Sequence, residues 1–215
     1  MKINTKNTVL CLLAASFLTA CIGDRKQVDV EELGDSSFVN TNFKGNRISY
    51  DMNSSACENM SAAVIASMYS ISEDKVIFED ISKSDRRVPN SPPVCNFYIK
   101  DGENDFLWLR GSISMIPDNG KNADGTVTNT STGYGEDWAE VWAIQKSTSK
   151  SSEWIETSGM AALWNESKRA LTIKFKRYTL FVNPPGNKLN KEEVAKNRDY
   201  KKMALSMAKA AGYIN

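Results

Sequence analysis

Histidine is absent from the 215 residues of this chain, so any chemistry must come from other side chains. Without an imidazole, the Ser–His and Cys–His nucleophile pairs and every His-containing metal site are excluded. Glu136, Asp137 and Glu140 lie close enough in sequence to supply the paired carboxylates that glycoside cleavage requires. Acids are equally common in the first turn of a helix, where the helix dipole favours them. The three acids are therefore candidates for either role.

Two further motifs carry weaker chemical signals. Ser147-Thr148-Ser149-Lys150 and Ser72-Glu73-Asp74-Lys75 both match S-x-x-K, but the S-D-N and K-T-G elements that accompany this motif in penicillin-binding enzymes do not occur. The segment from Asp118 to Gly125 is similar to a calcium loop. Aligning Gly125 with the invariant glycine of an EF-hand puts Gly120 and Ser131 where acids are required. A solvated loop is preferred over an irregular calcium site, and we predict neither serine catalysis nor a metal or cofactor.

The first 21 residues have the pattern of an export signal. Lys2 and Lys6 precede an apolar run from Thr8 to Phe17 that is too short to span a bilayer. The following residues, Leu18-Thr19-Ala20-Cys21, resemble the lipobox of bacterial lipoproteins. The resemblance implies diacylglycerol on the Cys21 sulfur, cleavage before Cys21 and acylation of the new amino terminus. The alternative is an ordinary signal peptide with a cysteine near its cleavage site.

The lipobox resemblance also implies a location and a partner. Lipoproteins with Asp after the cysteine tend to stay in the inner membrane, whereas this chain has Ile22, which favours the outer membrane with the domain facing the periplasm. The membrane is then a partner through the lipid anchor. The leader holds two of the 27 basic residues and none of the 26 acidic ones, so the mature chain is almost neutral. That balance argues against nucleic-acid binding and leaves an envelope protein as the expected macromolecular partner.

Cys57 and Cys95 are the cysteines that remain once Cys11 leaves with the leader and Cys21 is lipidated. An exported chain enters a compartment that permits disulfides, so we predict that these two cysteines are bonded. The alternative is a pair of separate buried thiols that act as small apolar residues.

The remaining elements indicate an α+β fold. We predict a signal peptide over 1–20, a lipid anchor and flexible tether over 21–45, and one globular domain over 46–215. Apolar alternation and turn residues predict strands at 46–52, 75–80, 94–99, 106–109, 171–175 and 178–182, and helical spacing predicts helices at 62–69, 136–146 and 190–211. The order favours one antiparallel sheet built from two hairpins with packed helices, a duplicated helix–hairpin unit as one interpretation, and an amphipathic C-terminal helix.

A second resemblance concerns the segments around the two cysteines. Cys57-Glu58-Asn59-Met60-Ser61, Val94-Cys95-Asn96-Phe97 and the run from Ser158 to Trp164 are similar to two-cysteine domains of uncharacterised envelope lipoproteins. That group implies no assigned activity.

Of the five tryptophans, Trp154, Trp138 and Trp142 are candidates for a binding surface, since aromatic side chains are enriched at interfaces, although a place in the core is preferred. Trp138 and Trp142 are four residues apart and suit a buried helix stripe, whereas Trp154 has polar neighbours and is expected to be the most exposed. The sequence therefore favours a non-catalytic binding or accessory lipoprotein of the envelope. The alternatives are an inhibitor or immunity lipoprotein, which would present the loop at 117–135, and a carboxylate-based hydrolase.

Overall fold

The computed structural model describes residues 36–85, 87–89, 91–118 and 138–215. Within them the helices are α1 (Ala62–Tyr69), α2 (Trp138–Thr148), α3 (Lys191–Ala195) and α4 (Tyr200–Ala210). The strands are β1 (Val76–Asp80), β2 (Val94–Ile99), β3 (Leu109–Pro117), β4 (Ser152–Trp154), β5 (Ala161–Asn165), β6 (Ala170–Phe175) and β7 (Tyr178–Gly186). Short 3-10 turns lie at Glu73–Lys75, Ile81–Lys83 and Asp105–Leu107.

The seven strands form one antiparallel sheet in the order β1-β2-β3-β7-β6-β5-β4. The α+β class is therefore confirmed, as are the hairpins β2–β3 and β6–β7. The expected short strand at 106–109 is instead a 3-10 turn that leads into β3, and the sequence patterns predict neither β4 nor β5. None of the described helices is long and apolar enough to cross a membrane.

The centre of the sheet is the pairing of β3 with β7. Its register shifts between Arg110 and Ser112, where two prolines of β7 lie opposite the single residue Gly111. Proline cannot donate to a strand ladder, so it is found at such irregularities. A Cβ atom on Gly111 would lie 2.5 Å from the Cδ atom of Pro185, so the close approach of the two strands at this bulge requires glycine.

The two faces of the sheet carry different cores. Alternate residues of the strands, with Cys95, Phe97, Ile113, Ile173 and Leu180 among them, point to one face, on which α1 and α4 pack. The opposite face of β5 is covered by α2, through a smaller cluster that contains Ala161 and Leu163. Helices α1 and α2, which would be the equivalent helices of a duplicated helix–hairpin unit, thus lie on opposite faces of the sheet. The duplication itself stays a prediction.

Helix α1 begins and ends at the predicted residues. The Ser61 side chain accepts a hydrogen bond from the Val64 N–H at 3.3 Å and so caps the helix. Ser70, in the left-handed conformation at φ 54°, ends it. Helix α2 covers most of the predicted 136–146, and its predicted start at 136–137 lies outside the described residues.

Residues 46–52 do not form the predicted strand. Asn46 instead exchanges hydrogen bonds with the backbone of Lys176, and the Ile48 carbonyl accepts a hydrogen bond from the Tyr178 hydroxyl. Ile48 and Tyr50 pack against the core from this irregular segment. Their alternation therefore reflects the burial of two side chains without a neighbouring strand.

The single helix predicted over 190–211 is wrong, because the chain forms α3 and α4 with a break between them. Asn190 caps α3 as expected, through its side-chain oxygen and the Glu193 N–H. Asn197 then has φ 45°, and Asp199 caps α4 through the Lys202 N–H. The segment between the helices is polar and has no apolar side chain to pack. Helix α4 buries Tyr200, Ala204, Met207 and Ala208.

The sulfur atoms of Cys57 and Cys95 lie at disulfide-bonding distance, with their Cα atoms 6.3 Å apart. Both side chains are buried in the larger core. The bond joins the segment before α1 to strand β2, and so holds that helix on the sheet. Asp80 places a carboxylate near the two sulfurs, but its oxygen caps the 3-10 turn through the Ser82 N–H, and bonded sulfurs are poor metal ligands.

The double variant Cys57→Ala with Cys95→Ala should therefore be less stable than the native chain. The bond closes a loop with a sequence separation of 38 residues, for which chain entropy gives about 3–4 kcal/mol. Urea unfolding of both proteins measures this difference. Non-reducing peptide mapping of the native chain provides the control, since it should yield one linked Cys57–Cys95 peptide, and two separately alkylated thiols would contradict the assignment.

Candidate functional site

Three of the tryptophans come together at one edge of the sheet. Trp138 and Trp142 meet edge to face, with ring centroids 5.4 Å apart, and Phe38 contacts Trp138 in the same manner at 6.1 Å. Phe38 also stacks on Trp154, with a centroid distance of 3.9 Å and nearly parallel planes. We call Phe38, Trp138, Trp142 and Trp154 the aromatic cluster.

The cluster has a buried part and an exposed part. Helix α2 presents Trp138 and Trp142 to the outer face of β5, and only 8% and 1% of their surfaces remain accessible. These two side chains belong to the packing of the helix. Trp154 lies on the edge strand β4 and is only half-buried, as is Phe38. Among the described residues the Trp154 indole N–H donates to no hydrogen-bond acceptor.

The exposed part of the cluster lines a groove of about 590 Å³. One wall is the segment 37–42 and the other is the segment 154–157, with Gly159 and Ala161 between them. Asn40 holds the first wall in place, because its side-chain amide donates to the Gly159 carbonyl at 3.0 Å and its backbone N–H donates to the Met160 carbonyl at 2.7 Å. These residues, which were assigned to the tether, lie on the domain.

The groove is lined by both apolar and polar groups. Phe38, Trp154 and Ile155 provide apolar area, while Asn42 and Glu156 provide polar groups at the rim. The lining is therefore about as polar as it is apolar.

A buried ion pair lies next to Trp138 of the aromatic cluster. The Lys174 ammonium lies 2.5 Å and 2.6 Å from the two carboxylate oxygens of Asp118, and 5.8 Å from the centroid of the Trp138 ring. Burial lowers the pKa of Lys174 and raises the pKa of Asp118, because desolvation outweighs their mutual attraction. Lys174 is only 1% exposed, so the pair is a buried charged contact between β6 and the residue that follows β3.

The other sequence candidates do not converge on this groove. Ser147 is buried and its hydroxyl donates to the Ile144 carbonyl within the helix, while Ser72 donates to Asp74 on the surface. Glu140 is exposed on α2. Glu136, Asp137 and the calcium-like loop beyond Asp118 lie outside the described residues, as do Cys21 and most of the 117–135 loop.

Sequence reasoning missed two parts of the site. Phe38 was assigned to the tether, although an aromatic residue followed by Val39 in a polar stretch is a signal for a docked segment. Lys174 alternates with core residues of β6, a pattern that by itself is typical of a side chain facing solvent. No signal in the sequence shows that α2 covers it.

No model of a known protein family, no curated protein and no solved structure matches this chain.

Removing one partner of the ion pair should destabilise the fold more than removing both. Asp118→Asn leaves the Lys174 charge buried without a counterion, which should cost about 3–5 kcal/mol. The double variant Asp118→Asn with Lys174→Met should cost less than the sum of the two single variants. Urea unfolding of the four proteins measures the coupling.

The exposed pair of Lys201 and Glu153, at 2.9 Å, is a matched control. Its side chains are 39% and 52% exposed, so Glu153→Gln should change the stability by less than about 1 kcal/mol. If the stability losses of the Lys174 and Asp118 single variants add up to that of the double variant, the two charges do not stabilise each other and the prediction is wrong.

Proposed function

We propose that this protein is a lipid-anchored lipoprotein of the bacterial cell envelope that acts as a non-catalytic binding or accessory protein. Cys21 carries the lipid, and the domain faces the periplasm from the outer membrane. The observation that supports the binding role is the groove, in which the aromatic rings of Phe38 and Trp154 are only half-buried.

The ligand of the groove is an apolar side chain presented by an envelope protein. Aromatic residues are enriched among the side chains that dominate binding energy, and Trp154 stands on an edge strand beside solvent. The rim supplies amide and carboxylate groups that can pair with a peptide backbone or a cationic side chain. The inhibitor alternative depends on the 117–135 loop and the hydrolase alternative on Glu136, Asp137 and Glu140, and of these only Pro117, Asp118 and Glu140 are among the described residues.

Cys21→Ser should abolish lipidation and release the protein from the membrane, because the thiol that accepts diacylglycerol is removed. Fractionation and intact mass of the chain expressed in an enteric-type bacterial host measure both effects. Cys11→Ser is the matched control, since it changes a cysteine of the leader and should leave lipidation intact. Ile22→Asp should move the lipidated chain to the inner membrane. A Cys21→Ser protein that remains lipidated would contradict the anchor.

A photoreactive residue at Asn42 should form an adduct with an envelope protein in living cells, because this side chain lines the groove. Trp154→Ala in the same chain should reduce the adduct about tenfold, the loss typical of an interface residue worth at least 1.4 kcal/mol. Gel mobility and mass spectrometry identify the adduct.

Two controls accompany this experiment. The same photoreactive residue at the exposed Asp85, away from the groove, should form no such adduct, and Trp108→Ala should leave the Asn42 adduct unchanged. An adduct that persists undiminished in Trp154→Ala would mean that the groove is not the binding surface.

A further inference from the structure

A second exposed surface lies at the other end of the sheet. Phe106 is 75% exposed and Leu107 37% exposed on the loop between β2 and β3. Leu189, before α3, is 77% exposed, and Val194, within α3, is 48% exposed. We call these four residues the apolar tip. They account for most of the large apolar side chains that the described residues leave in solvent.

The two loops of the tip are held side by side by amide side chains. Asn187 donates to the Phe106 carbonyl at 2.6 Å and to the Trp108 carbonyl at 3.2 Å. Asn190 donates to the Leu107 carbonyl at 3.0 Å and to the Asp101 carboxylate at 2.6 Å. The exposed side chains are therefore presented on a connected backbone.

A buried carboxylate fixes the helix that follows. Glu193 in α3 is 1% exposed, and its Oε1 accepts hydrogen bonds from Arg198 at 2.7 Å and from the Tyr200 hydroxyl at 2.9 Å. Lys196 lies 3.3 Å from Oε2 of the same carboxylate. Because this network ties α3 to α4, little ordering is required when the tip binds, which lowers the entropic cost of association.

The charges around the tip are unevenly distributed. The β2–β3 loop carries the exposed acids Glu103 and Asp105 beside Phe106, and neither belongs to an ion pair among the described residues. The segment around Leu189 carries the exposed lysines Lys188, whose ammonium donates to the Ser167 carbonyl, and Lys191. One side of the apolar tip is thus acidic and the other side is basic.

The basic side is not uniform, since Glu192 is also exposed there. On the acidic side, Lys100 and Arg110 flank the loop at the strand ends. The Arg110 guanidinium is already engaged, because it donates to the Asp105 carbonyl and lies 6.0 Å from the Tyr98 ring centroid. The charged residues nearest the exposed apolar side chains are therefore mainly acidic on one side of the tip and mainly basic on the other.

We propose that the apolar tip binds a second copy of this chain, as a dimer with two-fold symmetry. A two-fold axis through the tip brings the acidic loop of each copy against the basic segment of the other. The same operation places Phe106 of one copy against Leu189 of its partner, which buries the exposed apolar area. A surface that complements itself in this way is what an isologous interface requires.

A lipid surface fits the tip less well. Glu103 and Asp105 would face anionic headgroups, and like charges repel. The tip also lies at the end of the sheet where Arg110 pairs with Gly186, whereas Asn46 bonds to Lys176 at the opposite end.

Charge reversal of the full lipidated chain in detergent tests the dimer. Glu103→Lys with Asp105→Lys makes the tip basic on both sides, and Lys188→Glu with Lys191→Glu makes it acidic on both sides. Sedimentation equilibrium should show a concentration-dependent dimer for the native chain and monomers for each reversed chain. An equimolar mixture of the two reversed chains, with different tags, should restore a mixed dimer.

The controls reverse charges remote from the tip and remove its apolar centre. Lys44→Glu with Glu58→Lys should leave the native dimer unchanged, and Phe106→Ser should weaken it at least tenfold. A native chain that is monomeric throughout, or reversed chains that dimerise like the native one, would overturn the proposal. So would a monomer whose binding to anionic phosphatidylglycerol vesicles depends on Phe106. None of these outcomes bears on the groove adduct at Asn42, so the two proposals can fail separately.

Discussion

The pairing of β3 with β7 connects the two halves of this protein. Strands β1, β2 and β3 follow one another in the chain, as do β4 to β7, and the two sets meet only at this ladder. The bulge opposite Pro184 and Pro185 depends on the missing side chain of Gly111. Because the strands are antiparallel, the same pairing brings the β2–β3 loop beside the end of β7 and sets the apolar tip at one end of the sheet.

Helices pack on both faces of the sheet, and this packing determines which charged and aromatic side chains are buried. Helices α1 and α4 bury one face, while α2 covers the outer face of β5 with Trp138 and Trp142. Lys174 points to that second face and becomes buried, so it requires Asp118 as its counterion. Trp154 lies at the edge of the area that α2 covers, and therefore keeps part of its ring surface in solvent.

Local patterns were sufficient for much of the fold. The Ser61 cap, the spacing of apolar residues in 62–69 and the turn residues between β2 and β3 are short-range signals, and the structure agrees with them. The secondary structure of residues 46–52 and 190–211 was predicted wrongly. Alternation and helical spacing indicate which side chains are buried, but they do not indicate which backbone groups are available as hydrogen-bond partners. Ile48 and Tyr50 are partly buried without a neighbouring strand, and Asn197 interrupts a helix whose apolar stripe continues beyond it.

The sequence by itself determined the α+β class and the absence of imidazole chemistry, since these follow from composition and local periodicity. The expectation that Cys57 and Cys95 pair follows from the export signal and the lipobox resemblance. Tertiary structure alone decided that Phe38 stacks on Trp154, that Lys174 is buried against Asp118, and that the Asn187 amide bonds to the Phe106 carbonyl. Each of these contacts joins residues more than 50 positions apart. Such contacts are set by strand order and by which helix covers which face, and no local pattern of residues encodes either.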